Sequence, residues 1–225
     1  MTQAIRILLT DDQDLFRSGI RVILDAQDTF EVVGEAADGE EALRKIESLR
    51  PDIVLLDMRM PVMDGVETVR RLFSGSIAEP LPRVIVLTTF ALDAAAATAI
   101  RYGASGFLLK DSTPEFLFAA VRAVHSGSAV IAPQQLEALF LHDGEYVPAP
   151  VIPEDFARLS VRERAVFALA AKGYSNSEIA EQEFVAESTV KSQISSILNK
   201  LALRDRVQLV VYAHDHKIAD LPAGQ

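Results

Sequence analysis

Side chains that could bind a metal or a phosphoryl group recur in the first half of this 225-residue chain, each near the end of a hydrophobic run. In chain order they are Asp11, Asp12, Asp57, Thr88 and Lys110, and the apolar Phe107 stands near the last of them. The carboxyl ends of parallel strands lie on one edge of a sheet, so these groups would converge on one acidic pocket that holds a single lysine. Such a pocket suits a divalent metal and a phosphoryl group.

The carboxylates favour a metal and a nucleophile. Asp11 and Asp12 are adjacent, and both can face one pocket only if a cation offsets their repulsion. A few hard oxygen ligands that leave room for phosphate oxygens fit Mg²⁺ best. Asp57 would face the same metal, and as a carboxylate nucleophile it could accept a phosphoryl group to form an acyl phosphate.

The remaining members of the pocket suit a phosphoryl ligand. The Lys110 ammonium and the Thr88 hydroxyl would contact its oxygens, one as a point charge and one as a donor. Taken singly, each position has an ordinary structural role: a strand-end Asp is usually a cap or turn residue. Phe107 stays open between core packing and a switching role.

The elements that must position these residues are readable as a βα alternation. Short, non-alternating runs rich in Val, Ile and Leu predict strands covered on both faces. These runs are Ile5–Leu9, Val32–Ala36, Ile53–Leu56, Val84–Leu87 and Gly106–Leu109. Amphipathic helical stretches separate them, so residues 1–126 are predicted to form a doubly wound α/β domain with a five-stranded parallel sheet.

The second half of the chain has a different character. Residues 127–156 contain several prolines and predict a linker with one helix at Pro133–Leu141. Residues 157–225 show only helical patterns, which predicts an all-α domain. Capping boxes at Ser160-x-x-Glu163 and Ser175-x-x-Glu178, with Gly173 between them, are typical of a helix-turn-helix.

Composition excludes several classes of protein. The chain has no cysteine, so it has neither disulfides nor thiolate metal sites. It shows no signal-peptide pattern and no apolar run long enough to span a bilayer, which predicts a cytoplasmic protein without a membrane partner. The net charge of −10 lies in residues 1–158, whereas residues 159–225 hold 8 basic and 8 acidic side chains. The acidity therefore does not exclude DNA as a partner of the helical domain.

The motifs of the first domain resemble those of a known family. They are Asp11-Asp12, Asp57-Met58-Arg59-Met60-Pro61 with Asp64-Gly65, Val86-Leu87-Thr88-Thr89 and Gly103–Lys110. Over nearly all of residues 4–126 the chain resembles the flavodoxin-like receiver domain of bacterial two-component response regulators.

That resemblance implies a role for each residue of the pocket. Asp57 would be the phospho-acceptor, supplied by a histidine kinase. Asp12, Asp57 and the Arg59 carbonyl would bind Mg²⁺, with Asp11 acting through water. Thr88 and Phe107 would form the switch pair, and Lys110 would sense the phosphate.

One helical segment of the second domain has a face that suits DNA. Within Ala186–Leu201, apolar residues fall at helical spacing and predict one buried face. The opposite face carries Lys191, Ser192, Ser195 and Asn199. Such a polar face is compatible with base edges and phosphates in a major groove, although a solvated surface looks the same.

The surrounding residues resemble the LuxR-type helix-turn-helix over about residues 157–217. They are Leu159-Ser160-x-Arg162-Glu163, Ala171–Ala180, Ser188–Lys191 and Ile197–Leu201. The two domains together are similar to the NarL/FixJ subfamily, which implies a transcription factor that forms a homodimer on a double-stranded DNA operator when phosphorylated. Lys191, Ser192 and Ser195 would face bases, while Thr189 and Gln193 would hold phosphates.

Two details depart from the family or stay open. Ala186 stands where the family usually has a serine cap. The apolar residues Val207, Leu209, Val210 and Val211 predict either a pairing helix or packing within their own domain.

The leading hypothesis is therefore a phosphorylation-controlled DNA-binding regulator and not an enzyme, beyond self-catalysed phosphorylation and dephosphorylation of Asp57. The alternative is a phosphotransfer enzyme that uses Asp57 on small substrates, but it gives the helical domain no role. A Rossmann oxidoreductase is disfavoured, because Asp11–Asp14 follows the first strand where a glycine-rich phosphate loop would be needed.

Overall fold

The computed structural model describes residues 4–75, 80–89, 94–127, 153–216 and 218. The chain divides into two compact units, residues 1–135 and 136–225, each with its own hydrophobic core. Most of the predicted linker, including its predicted helix at Pro133–Leu141, lies outside the described residues. The boundaries at residues 126 and 156 therefore stay predictions.

The first unit is built on the predicted parallel sheet. Its strands are β1 (Ile5–Thr10), β2 (Phe30–Ala36), β3 (Ile53–Asp57), β4 (Arg83–Thr88) and β5 (Gly106–Leu109). All pairs are parallel, and the spatial order is β2-β1-β3-β4-β5. The order reverses at β1, which lies between β2 and β3, so the loops after β1 and β3 are neighbours at the edge where ligands bind in such folds.

In the described part of this unit, five helices cover the sheet. They are α1 (Asp14–Asp25), α2 (Gly39–Leu49), α3 (Gly65–Phe73), α4 (Ala94–Tyr102) and α5 (Pro114–His125). Leu24 of α1 and Leu117 and Val121 of α5 pack in one core with the strands. On the other side α2 packs on α3, and α3 packs on α4. The predicted doubly wound α/β fold is confirmed.

Helix starts follow the local sequence. The Asp38 carboxylate accepts a hydrogen bond from the backbone N–H of Glu41 at 2.8 Å, and Thr113 caps α5 directly before Pro114. Gly65 begins α3 so close to β3 that a Cβ there would lie 2.5 Å from the backbone oxygen of Asp57. Only glycine lets α3 approach the end of β3 this closely.

The second unit is helical. A 3₁₀ turn (Phe156–Arg158) precedes α6 (Val161–Ala171), α7 (Asn176–Gln182), α8 (Glu187–Lys200) and α9 (Arg206–Asp215). Both predicted capping boxes are present, and Gly173 has a φ of 88°, which favours glycine where α6 ends. Helices α7 and α8 form the predicted helix-turn-helix. In the described part of the chain, no helix combines the length and the apolar character needed to cross a membrane.

The apolar run in α9 is buried within the chain. Leu209 lies in the core of the helical unit, and Val207, Val210 and Val211 are each at most 6% exposed. Of the two alternatives for this run, packing within its own domain is the one observed.

Candidate functional site

The sheet brings the predicted carboxylates together. Asp11 directly follows β1, and Asp57 is the last residue of β3. Oxygen atoms of Asp11, Asp12 and Asp57 all lie within 4.8 Å of one another. Asp11 is 2% and Asp57 4% exposed, whereas Asp12 faces solvent. The cluster is therefore shielded from solvent at Asp11 and Asp57 and accessible to a ligand from the side of Asp12.

Lys110 enters this cluster from the end of β5. Its backbone N–H donates to the Thr88 carbonyl at 2.7 Å, which fixes the residue beside the end of β4. Its ammonium lies 2.6 Å from Oδ2 of Asp11 and 3.1 Å from Oδ2 of Asp57. The Asp11 contact is close but lacks the alignment of a hydrogen bond. The Phe16 ring lies 4.7 Å from the ammonium and adds a cation–π contact.

Burial raises the pKa of Asp57 above its ordinary value. The Lys110 ammonium opposes this effect, and the negative charge of Asp11 adds to it. Oδ1 of Asp57 also accepts a hydrogen bond from the Met58 backbone N–H at 2.8 Å, which holds the carboxylate in one orientation. The ionised carboxylate of Asp57 is thus held at an electrostatic cost that an added cation would reduce.

The donor set fits a hard divalent cation. Three carboxylates supply oxygens within 4.8 Å, and Oδ2 of Asp11 has no aligned hydrogen bond among the described residues. Arg59 lies in the loop directly after β3, two residues beyond Asp57. Carboxylate and carbonyl oxygens are the ligands that Mg²⁺ uses, with water in the remaining positions.

Thr88 and Phe107 are both buried, on the two neighbouring strands β4 and β5. Thr88 is the last residue of β4 and pairs with Leu109, while Phe107 pairs with Val86. Each is 5% exposed. The structure thus places the two on neighbouring strands, with the Phe107 ring already inside the protein.

The second candidate site is the outer face of α8. Helical spacing predicted a buried face of Val190, Ile194, Ile197, Leu198 and Leu201. Four of these residues are buried, and Leu198 is half-buried. The residues predicted to contact DNA divide by exposure: Lys191, Ser192 and Ser195 are exposed, and Thr189 and Gln193 are half-buried.

Local hydrogen bonds set how α8 begins and what its serines can offer. Ala186 makes no side-chain cap, so α8 begins without one. The Ser192 hydroxyl donates to the Thr189 carbonyl, and the Ser195 hydroxyl donates to the Lys191 carbonyl. In this arrangement both serines offer lone pairs, not protons, to a partner outside the helix.

Glu163 anchors α8 in a way that the sequence did not reveal. It is 6% exposed, and its carboxylate accepts hydrogen bonds from the Ser160 backbone, the Ser196 hydroxyl and the Lys200 ammonium at 2.7–2.8 Å. Burial alone would raise the pKa of Glu163, but these hydrogen bonds outweigh it and lower the pKa to about 2. The capping box predicted only the Ser160 contact.

Two family models match the chain. Residues 7–122 match the response regulator receiver domain, and residues 157–213 match the bacterial regulatory proteins of the luxR family. The chain belongs to the LuxR-type response regulators. A response regulator of this type links a receiver to a DNA-binding domain and regulates transcription in a two-component system.

Individual relatives cover nearly the whole response regulator. The transcriptional regulatory protein LnrK of Bacillus subtilis is 40% identical over 215 residues, which are 93% of this chain and 96% of LnrK. Among solved structures, the response regulator ChrA of a heme-sensing two-component system is 32% identical over 96% of this chain and 99% of that chain, with a TM-score of 0.52. A complex of the response regulator RcsB with DNA is 25% identical over 93% and 98% of the two chains, with a TM-score of 0.53.

Proposed function

We propose that this response regulator accepts a phosphoryl group on Asp57 from a histidine kinase, and that the phosphorylated form binds a DNA operator as a homodimer. The observation that carries the proposal is the buried ammonium of Lys110, which lies 3.1 Å from Asp57 and 2.6 Å from Asp11. A strand-end carboxylate that has both a cation and further carboxylates beside it is suited to receive and hold a phosphoryl group.

In the transfer, an oxygen of Asp57 bonds to phosphorus while the bond from phosphorus to the kinase histidine nitrogen breaks. The electron pair of that bond stays on the imidazole. Asp12, Asp57 and the Arg59 carbonyl would hold Mg²⁺, with Asp11 acting through water, and the ion would supply positive charge to neutralise the phosphoryl oxygens. The Lys110 ammonium is close enough to Asp57 to attract the oxygens of a phosphoryl group bound there. The Thr88 hydroxyl would donate a hydrogen bond to one of these oxygens.

The acyl phosphate would act through Thr88 and Phe107. Movement of Thr88 toward the phosphoryl group changes the space beside Phe107, and α4 then presents a different surface for pairing. A ligand shifts such an equilibrium only by contacts that differ between the two states, and the Thr88 contact is such a difference.

DNA binding is assigned to α8. Lys191, Ser192 and Ser195 would face bases, and Thr189 and Gln193 would contact phosphates. The formal charge of residues 159–225 is balanced, so one domain neutralises few phosphates and binds weakly. Pairing two domains doubles the contacts and couples two half-sites, which explains how phosphorylation would control DNA binding.

The phosphorylation step is testable with a small-molecule phosphodonor and Mg²⁺, since the pocket itself would catalyse transfer. The full-length protein should gain the mass of one phosphoryl group, on the peptide that contains Asp57. Asp57→Asn should gain none. Asp52→Asn is the matched control, because Asp52 immediately precedes β3 at the strand's other end. Undiminished phosphate on Asp57→Asn would show that the acceptor is wrongly assigned, and multiple turnover of phosphate monoesters would favour the small-substrate enzyme.

A further inference from the structure

Arg17 on α1 connects the loop that carries the predicted metal ligands to strand β2. One guanidinium nitrogen donates to the backbone carbonyl of Asp11, and another donates to the Asp14 carboxylate. The Nε atom lies 3.2 Å from Oε2 of Glu35 in β2. The side chain is only 13% exposed. The guanidinium therefore joins three acceptors from three parts of the chain.

Glu35, the acceptor in the strand, is itself held in place. Its other oxygen accepts from Arg21 at 2.7 Å, and Arg21 also lies 3.4 Å from Asp25 on the same helix. The hydrogen bond from Arg21 is the main reason that the pKa of Glu35 lies below its ordinary value. Glu35 is thus a fixed anion that anchors Arg17. Arg21 contacts Glu35 and Asp25, and among the described residues it makes no hydrogen bond to Asp11.

The Asp11 carbonyl is the oxygen of the peptide that joins Asp11 to Asp12. Because a peptide is planar, a donor on this oxygen restrains the rotation of the peptide that Asp11 and Asp12 share, and with it the Cα–Cβ directions from which both carboxylates extend. The guanidinium also brings a permanent positive charge close to two adjacent carboxylates without occupying the pocket.

We infer that Arg17 is a positioning residue for the divalent metal site, acting through the peptide between Asp11 and Asp12. The inference rests on the proposed function, since it takes Asp12 as a Mg²⁺ ligand and Asp11 as a carboxylate that acts on the ion through water. Arg17 itself contacts neither metal nor phosphoryl group. Outer-shell groups that orient metal ligands commonly change metal affinity by about 10- to 100-fold when they are removed.

The test is Mg²⁺ binding to the full-length protein, measured by isothermal titration calorimetry without a phosphodonor. Arg17→Gln should weaken Mg²⁺ binding by about tenfold, because the Asp11 carbonyl loses its donor. Arg21→Gln is the matched control on the same helix: it removes the other arginine on Glu35 and should change the affinity by less than about twofold.

Two further variants keep the result interpretable if Arg17→Gln is poorly folded. Arg17→Lys retains the charge but not the three-way contact, so its Mg²⁺ affinity should fall between those of wild type and Arg17→Gln. Glu35→Gln leaves Arg17 without its anchor and should weaken binding to a smaller extent. Hydrogen exchange of the peptides from α1 reports whether the helix stays folded in each variant.

Equal Mg²⁺ affinity in Arg17→Gln and wild type would overturn the inference. So would an equal loss in Arg21→Gln, because Arg17 would then act only through the packing of α1. Wild-type protein that gains no phosphoryl group at Asp57 would instead overturn the proposed function. The two failures are therefore distinguishable in one set of proteins.

Discussion

Glu163→Gln should loosen the attachment of α8 to α6. The substitution keeps the size of the side chain and can preserve the hydrogen bond from the Ser160 backbone, but it removes the charge that holds Lys200 at 2.7 Å. Lys200 is the last residue of α8. The change therefore acts on the position of the candidate DNA-binding helix and leaves its exposed face intact.

The size of the effect follows from the pKa of Glu163. Lowering it from 4.5 to about 2 corresponds to about 3 kcal/mol of differential interaction. The Lys200 side chain is 40% exposed, so solvent screens part of that contact, and we expect a loss of about 2 kcal/mol. Because the folded pKa is depressed, this stability is fully present above pH 4.5 and disappears as the pH falls towards 2.

Hydrogen exchange at pH 7 on peptides from α6 and α8 measures this loss in the full-length protein. A loss of about 2 kcal/mol would increase the exchange of protected amides about 30-fold. Glu178→Gln is the matched control, since Glu178 closes the second capping box but is exposed. It should have a much smaller effect. If the two variants had equal effects, the contacts of Glu163 with Lys200 and Ser196 would add no stability to α6 and α8 beyond that of a capping box, and the reasoning would be refuted.

Three further predictions concern the receiver and the DNA-binding face. Asp57→Asn should stabilise the receiver at pH 7 without Mg²⁺. The pKa of Asp57 is higher in the folded than in the unfolded protein, so keeping this carboxylate ionised lowers the stability of the fold above that pKa. Faster hydrogen exchange in β3 of the variant would contradict this prediction. Thr88→Ala should keep phosphoryl uptake but weaken phosphorylation-dependent dimerisation, which sedimentation velocity would detect; an unchanged dimerisation curve would remove Thr88 from the switch. Lys191→Ala should weaken operator binding of the phosphorylated protein by about 1–3 kcal/mol; fluorescence anisotropy that shows no loss across a salt series would exclude Lys191 from the interface.

The fold was predictable because strands buried on both faces need uninterrupted apolar runs. Errors occurred where that rule has exceptions. β2 was predicted to begin at Val32 but begins at Phe30, because the exposed Glu31 interrupts the apolar run without ending the strand. β1 and β3 each extend one residue further, to Thr10 and Asp57, because polar residues at a strand end still pair with the neighbouring strand.

Only those residues of the candidate site that stand at strand ends could be predicted from the sequence. Strand-end positions were enough to group Asp11, Asp57 and Lys110. The Phe16 ring beside Lys110 and the contact of Arg17 with the Asp11 carbonyl depend on how α1 packs against the sheet, which local spacing does not encode. In the helical domain Glu163 had a visible capping signal, but its partner Lys200 is 37 residues away.

The Lys110 contact means that the resting pocket carries its own counter-ion. Without that ammonium, the clustered carboxylates would need a bound cation to offset their repulsion. With it, part of the negative charge of the carboxylate cluster is already offset by the protein itself. Under the proposed function, the acyl phosphate on Asp57 would be the one covalent difference between the signalled and the unsignalled receiver, and its hydrolysis would restore this balance of charge.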